Sequence, residues 1–196
     1  MSTRGLIGFI YRGISYYVYN HYDSYHSYLG VIILMQLLQM LRNNKFNEWL
    51  EKFKSLKIVY ENETITDEDL KVFGRVNIDP NYKLTYGDDI IRYTTNGEKI
   101  TSFESILNHN YLLSHFQPIV NEVITSENIA CPPFEYIYLL NFDSREFITI
   151  SQDDKCYKYS LNSSDNNDNS DNNDNSDNGN SINVLEELKL KWSKEL

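Results

Sequence analysis

Thr3-Arg4-Gly5-Leu6-Ile7-Gly8-Phe9 runs through Arg12-Gly13 into Tyr19-Asn20-His21-Tyr22-Asp23-Ser24-Tyr25 and stops at Leu29-Gly30. Residues 5–10 and 14–19 are rich in β-formers, and the short Arg12-Gly13 turn between them predicts a β-hairpin. Directly after it, Asn20, His21, Asp23 and Ser24 place an amide, an imidazole, a carboxylate and a hydroxyl within five residues. Apolar segments on both sides could hold that cluster rigidly, so it is the first place to seek a site.

Outward from the hairpin the period changes from two to 3.6. The apolar window 29–41 reads as a buried helix. It is thirteen residues long and contains Gln36 and Gln39, short of the roughly 20 that cross a bilayer. Phe46, Trp49, Leu50, Phe53 and Leu56 fall at helical spacing. Thr66-Asp67-Glu68-Asp69 opens a short helix through Leu70 and Phe73 that Gly74 can end. Asn96-Gly97 between residues 90–93 and 98–100 is a hairpin signal. Thr101-Ser102-Phe103-Glu104 has the capping-box pattern and predicts a helix running toward Leu113. A second hairpin is expected from residues 134–140 and 147–150 around the polar turn 141–146.

From 162 to 181 the chain is nearly all Asn, Asp and Ser, with the hexapeptide 165–170 repeated as 171–176. Such a tract cannot bury enough apolar surface to offset the entropy of ordering it, which predicts a disordered loop. Helical periodicity returns after it, with Ile182, Leu185, Leu188, Trp192 and Leu196 on one face. The expected organisation is one domain over 1–160, a disordered loop over 161–181, and a helix over 182–196 docking on that domain. Strands grouped at both ends around helices favour an α+β fold with a mostly antiparallel sheet and a C-terminal amphipathic helix.

With 28 acidic against 18 basic residues the net charge is −10, which repels phosphate backbones and anionic headgroups. Neither nucleic acid nor membrane is expected as a partner. Cys131 and Cys156 lie far apart with no CxxC companion, so neither a zinc site nor a disulfide framework is indicated. The opening Met1-Ser2-Thr3-Arg4-Gly5 lacks the basic and then apolar build-up of a secretory signal, and a cytoplasmic location is expected.

Several site chemistries compete for these residues. A hairpin at the start of a chain followed by a polar loop is the layout of an N-terminal-nucleophile hydrolase, in which a terminal hydroxyl attacks a carbonyl and its own amine serves as base. Here Ser2 or Thr3 would be the nucleophile, with Asn20 and Asp23 in support. Loss of Met1 alone exposes Ser2 and leaves Thr3 in a peptide bond. His21, Asp23 and His26 offer metal-binding atoms, but at no recognisable ligand spacing, and a polar loop before the Leu29 helix is the simpler reading. His109 and His115 are six apart and do not share a helix face. Asp174, Ser176, Asn178 and Gly179 imitate the start of a calcium loop, but the twelfth position is Leu185 and not a bidentate glutamate. Seven tyrosines between Tyr11 and Tyr28 could stack on sugars or bases, yet only Arg12 accompanies them inside that span, so they read as β-formers.

The runs TRGLIGF, YNHYDSY and LG, with the later EYIYLLNFDSREFITI and the final LEEL helix, resemble a group of phage, giant-virus and microbial-eukaryote proteins to which no activity is attached. The resemblance spans residues 3–150 and the terminal helix. It departs from the group at His26, where the pattern continues with proline. It implies a shared fold and a shared Asn20–Ser24 cluster, and no reaction. The expected function is a non-catalytic interaction or accessory protein with no cofactor, taking an unidentified protein partner or a small molecule through Arg4, His21, Ser24 and Tyr25. The alternative is the amidohydrolase on Ser2, Thr3, Asn20 and Asp23.

Overall fold

The computed structural model describes residues 3–60, 63, 64, 66, 68, 102–109, 111–114, 119, 120, 134–151, 155–162 and 181–194. They form an α+β fold. The first hairpin is β1 (Gly5–Tyr11) and β2 (Ile14–Asn20), paired antiparallel with Gly5 opposite Asn20 and Tyr11 opposite Ile14. Arg12 and Gly13 both take left-handed φ values, 53° and 69°. That is the turn whose twist matches two flanking strands.

One turn of π-helix (His26–Gly30) leads into α1 (Val31–Arg42), followed by α2 (Phe46–Ser55) and β3 (Lys57–Tyr60). Then come α3 (Phe103–Leu107), β4 (Tyr111–Ser114), β5 (Ile119–Val120), β6 (Tyr136–Asn141), β7 (Glu146–Ile150), β8 (Cys156–Ser160) and α4 (Ser181–Trp192). The main sheet has the order β5-β2-β1-β6-β7-β8. Its only parallel pair among the described residues is the central one, β1 with β6, in the register Gly5–Tyr136 to Ile10–Asn141. β3 and β4 pair in parallel in a sheet of their own.

Alternation along the strands divides the core. Ile7, Phe9, Tyr138, Leu140 and Phe147 point to the face that α1, α2, α3 and α4 cover. Phe9 lies at its centre, its ring 5.1 Å from Phe53 and 5.3 Å from Phe103. Leu6, Ile10, Tyr17, Ile137, Leu139 and Ile148 form a second buried cluster on the opposite face. α4 packs on α1, as the apolar stripe ending in Trp192 predicts: Leu185 and Trp192 are buried in the helix-side core. No described helix is long and apolar enough to cross a membrane.

Two expectations are corrected. The helix predicted from Thr101 to Leu113 stops at Leu107, and its cap is one residue later than the pattern suggests: Ser102 and Ser105 cap each other reciprocally. The residues beyond it form β4 and pair with β3, which buries Leu112 and Val59. That pairing overrides a continuation of the helix. The late hairpin forms with an added strand, β8, beside β7. The expected helix beyond Glu68, the Asn96-Gly97 hairpin and residues 163–180 of the Asn/Asp/Ser tract lie outside the described residues, as do Ser2, His115 and Cys131.

Candidate functional site

The polar cluster sits where the first hairpin ends, beside the start of the parallel β1/β6 pair. Asn20 is the last residue of β2, 3% exposed, and Ser24 is fully buried. Both amide protons of Asn20 are committed inside the loop. Nδ2 donates to the Tyr22 carbonyl oxygen and, over 2.7 Å, to Ser24 Oγ. Ser24 Oγ in turn reaches the Asn20 carbonyl oxygen at 3.4 Å. The loop bends at Asp23, whose φ of 54° is left-handed and whose side chain is exposed. Buried polar groups are tolerated where they satisfy one another, and this amide–hydroxyl pair does so.

Gly5 makes the closure possible. A Cβ there would lie 2.6 Å from Ser24 Cβ and 2.8 Å from the Tyr136 carbonyl oxygen. Only a residue without a side chain lets the loop rest on the strand pair.

A second cluster grows from the π-turn. Tyr138 of β6 donates its phenolic proton to the Ser24 carbonyl oxygen at 2.8 Å, so the Tyr138 oxygen accepts from His26 Nδ1 at 3.0 Å. This assignment puts the proton on Nδ1 and the lone pair on Nε2. The imidazole lies flat on the Trp192 indole, with centroids 4.1 Å apart and planes 3° from parallel. Its edge meets Tyr136 at 4.8 Å. Burial in this aromatic nest, reinforced by the Lys191 ammonium, lowers the imidazole pKa to about 4, so His26 is neutral near pH 7. Gly30 admits the indole, since a Cβ there would stand 2.9 Å from two of its ring carbons.

The other residues singled out from the sequence are distributed around this frame. His21 Nδ1 is 2.8 Å from the Tyr19 hydroxyl, and its ring meets Tyr22 edge-on at 4.3 Å. Tyr25 lies 6.0 Å from Tyr28 and its carbonyl accepts from the Tyr28 and Gly30 N–H groups, closing the π-turn. Arg4 is exposed, and its backbone is tied to Glu135 through the Arg4 carbonyl at 3.0 Å and the Arg4 N–H at 3.4 Å. Thr3 Oγ1 is shut off from solvent and has no hydrogen-bond partner among the described residues, so it is not joined to Asn20, Asp23 or Ser24. No group of three or more His, Cys, Asp or Glu able to hold a metal occurs among the described residues.

Asn20 and Ser24 are therefore brought together, whereas among the described residues Thr3 Oγ1 bonds to neither, and Arg4 and Asp23 are exposed. Sequence reasoning missed the coupling of His26 to Tyr138 and Trp192. The available signal was a tryptophan ending the terminal apolar stripe. Set against known proteins, the chain matches no protein-family model, no curated protein and no solved structure.

Proposed function

We propose that this chain is a non-catalytic interaction or accessory protein, sharing its fold and its Asn20–Ser24 loop with the phage, giant-virus and microbial-eukaryote group it resembles. The observation that carries the reading is the closure of the loop on itself. A general base or oxyanion donor must present its polar atoms to a substrate. Asn20 spends both amide protons on Tyr22 and Ser24, inside the fold.

The rival amidohydrolase has one observation in its favour, the buried hydroxyl of Thr3, which has no hydrogen-bond partner among the described residues. A nucleophile has to meet its substrate, and this oxygen does not reach solvent. Intact-mass spectrometry after treatment with an electrophilic amide or ester probe decides between them. The expected result is an unlabelled protein. A covalent adduct on Ser2 or Thr3, abolished by Asn20→Ala, overturns the proposal.

A further inference from the structure

α4 joins the fold through residues 163–180, which are Asn, Asp, Ser and one Gly. They offer no apolar side chain, so the hold on α4 lies in the helix's own contacts. At its start Ser181 Oγ donates to the Asn162 carbonyl oxygen at 2.7 Å. In its middle Glu186 pairs with Arg42 of α1. At its end Trp192 occupies the room left by Gly30 and lies flat on His26, with Leu185 and Leu188 buried along the way. Elsewhere the helix-side core closes without α4, around Phe9 packed among Phe53, Phe103 and Phe142.

His26 is the joint between α4 and the sheet. Around its ring stand Trp192 and the Lys191 ammonium from α4, and the Tyr136 ring and Tyr138 hydroxyl from β6. Among the described residues no carboxylate pairs with it and Nε2 has no hydrogen-bond partner. A second ring proton therefore brings a charge without a counter-ion. The indole face attracts a cation, but lost hydration and the Lys191 ammonium outweigh it, and the imidazole pKa falls to about 4. With α4 undocked, the ring is hydrated and regains an ordinary pKa of about 6.5. Protons then favour the undocked helix as pH falls below that value. Glu186 acts in the same direction. Lys189 first, and Arg42 after it, hold its carboxyl below the usual range, and protonation dissolves the tie to Arg42.

We propose that α4 is an acid-released latch: docked near neutral pH, it comes off α1 and the π-turn as a unit in mild acid while the six-stranded sheet stays folded. Release uncovers the apolar stripe of Leu185, Leu188 and Trp192 together with the Tyr138 side of the sheet, so exposed apolar surface becomes a function of pH. The latch goes beyond the non-catalytic reading and does not depend on it.

Hydrogen exchange of the whole chain, followed by mass spectrometry at pH 7 and pH 5 and normalised to the intrinsic rate at each pH, tests the latch. Protection of residues 181–192 should fall about tenfold more than that of 136–141, the partial exposure of His26 reducing the full linkage effect of roughly twentyfold. His26→Phe keeps a flat ring on Trp192 without a titrating group and should remove most of that difference. Glu186→Gln should leave most of it in place. His26→Gln, whose amide can meet Tyr138, replaces His26→Phe should that variant fail to fold by circular dichroism. Equal losses of protection in 181–192 and 136–141 overturn the proposal, because the whole fold would then be loosening. So does undiminished protection of 181–192 at pH 5, or a His26 variant that keeps the parent's pH dependence.

Discussion

The two ends of the β1/β6 pair hold their loops in chemically similar ways and in opposite surroundings. At one end the Arg12-Gly13 turn meets the 142–145 turn, and the Asp143 carboxylate accepts the Arg12 and Gly13 N–H groups, each at 2.8 Å, in a solvent-exposed setting. At the other end Asn20, itself buried, donates to Ser24 in a buried setting and to the Tyr22 carbonyl in a part-buried one. In both, a single side chain ties down a loop with two hydrogen bonds. What differs is what replaces those bonds when the side chain goes. Water can reach both bonds of the first pair, whereas the Asn20–Ser24 bond of the second is buried, so equal bond counts carry unequal stability.

The sharpest way to break that contrast is Asn20→Ala. It leaves the buried Ser24 Oγ short of a donor and frees the part-buried Tyr22 carbonyl, and the expected loss is about 2 kcal/mol. Urea unfolding measures it as a lower midpoint at unchanged slope. Ser24→Ala added to Asn20→Ala should cost less than Ser24→Ala alone, because the two groups satisfy each other. A loss near zero for Asn20→Ala would mean that solvent enters the loop and that the two ends are alike.

What the sequence made legible follows from the range of the forces involved. Turn chemistry at Arg12-Gly13 and the extended apolar runs on either side of the polar 141–146 turn are local, and both hairpins were readable. So was α2, from the spacing of Phe46, Trp49 and Phe53. β3 was not readable: Lys57–Tyr60 is four residues long, and its strand character comes from a parallel partner more than fifty positions away. The same partner cut the helix after Ser102 short. For the candidate site, the position of the polar loop was readable from composition, but its inward orientation was not. That orientation depends on Gly5 leaving room for Ser24 and on Tyr138, 114 residues further on, holding the Ser24 carbonyl. His26 looked like one more loop polar residue, and only the tertiary fold makes it the hub of an aromatic cluster.

The buried end should also be the pH-sensitive one. His26 has its pKa lowered to about 4 in the fold, by burial first and Lys191 second, against about 6.5 in the unfolded chain. Between those values the unfolded chain takes a proton that the native one refuses. Stability is therefore fully present above pH 6.5 and declines as pH falls toward 4. After discounting for the partial exposure of the ring, the decline is about 2 kcal/mol over that window. His26→Phe keeps a flat ring for Trp192 and removes the titrating group. Its stability should vary less than that of the parent between pH 7 and 5, by thermal or urea unfolding at each pH. Identical pH profiles for the two proteins would show that the imidazole is wetter than its aromatic nest implies.

The smallest effect belongs to the exposed end, where Asp143→Ala tests the other half of the contrast. Arg12 pays a left-handed backbone penalty that a glycine would not, and the Asp143 carboxylate offsets it by accepting the N–H groups on both sides of that strain. Removing the carboxylate hands those N–H groups to water, so the expected loss is about 1 kcal/mol. Asp143→Asn, which can keep one acceptor in place, should fall between the parent and Asp143→Ala in urea midpoint. Phe142, anchored to the Ile10 carbonyl at 2.9 Å and stacked on Phe9 at 5.7 Å, holds the loop down independently of Asp143. That anchorage is why the effect stays small. A loss as large as that of Asn20→Ala would mean that the carboxylate sets the register of the two hairpins, and that water does not level the cost of a bond lost at the surface.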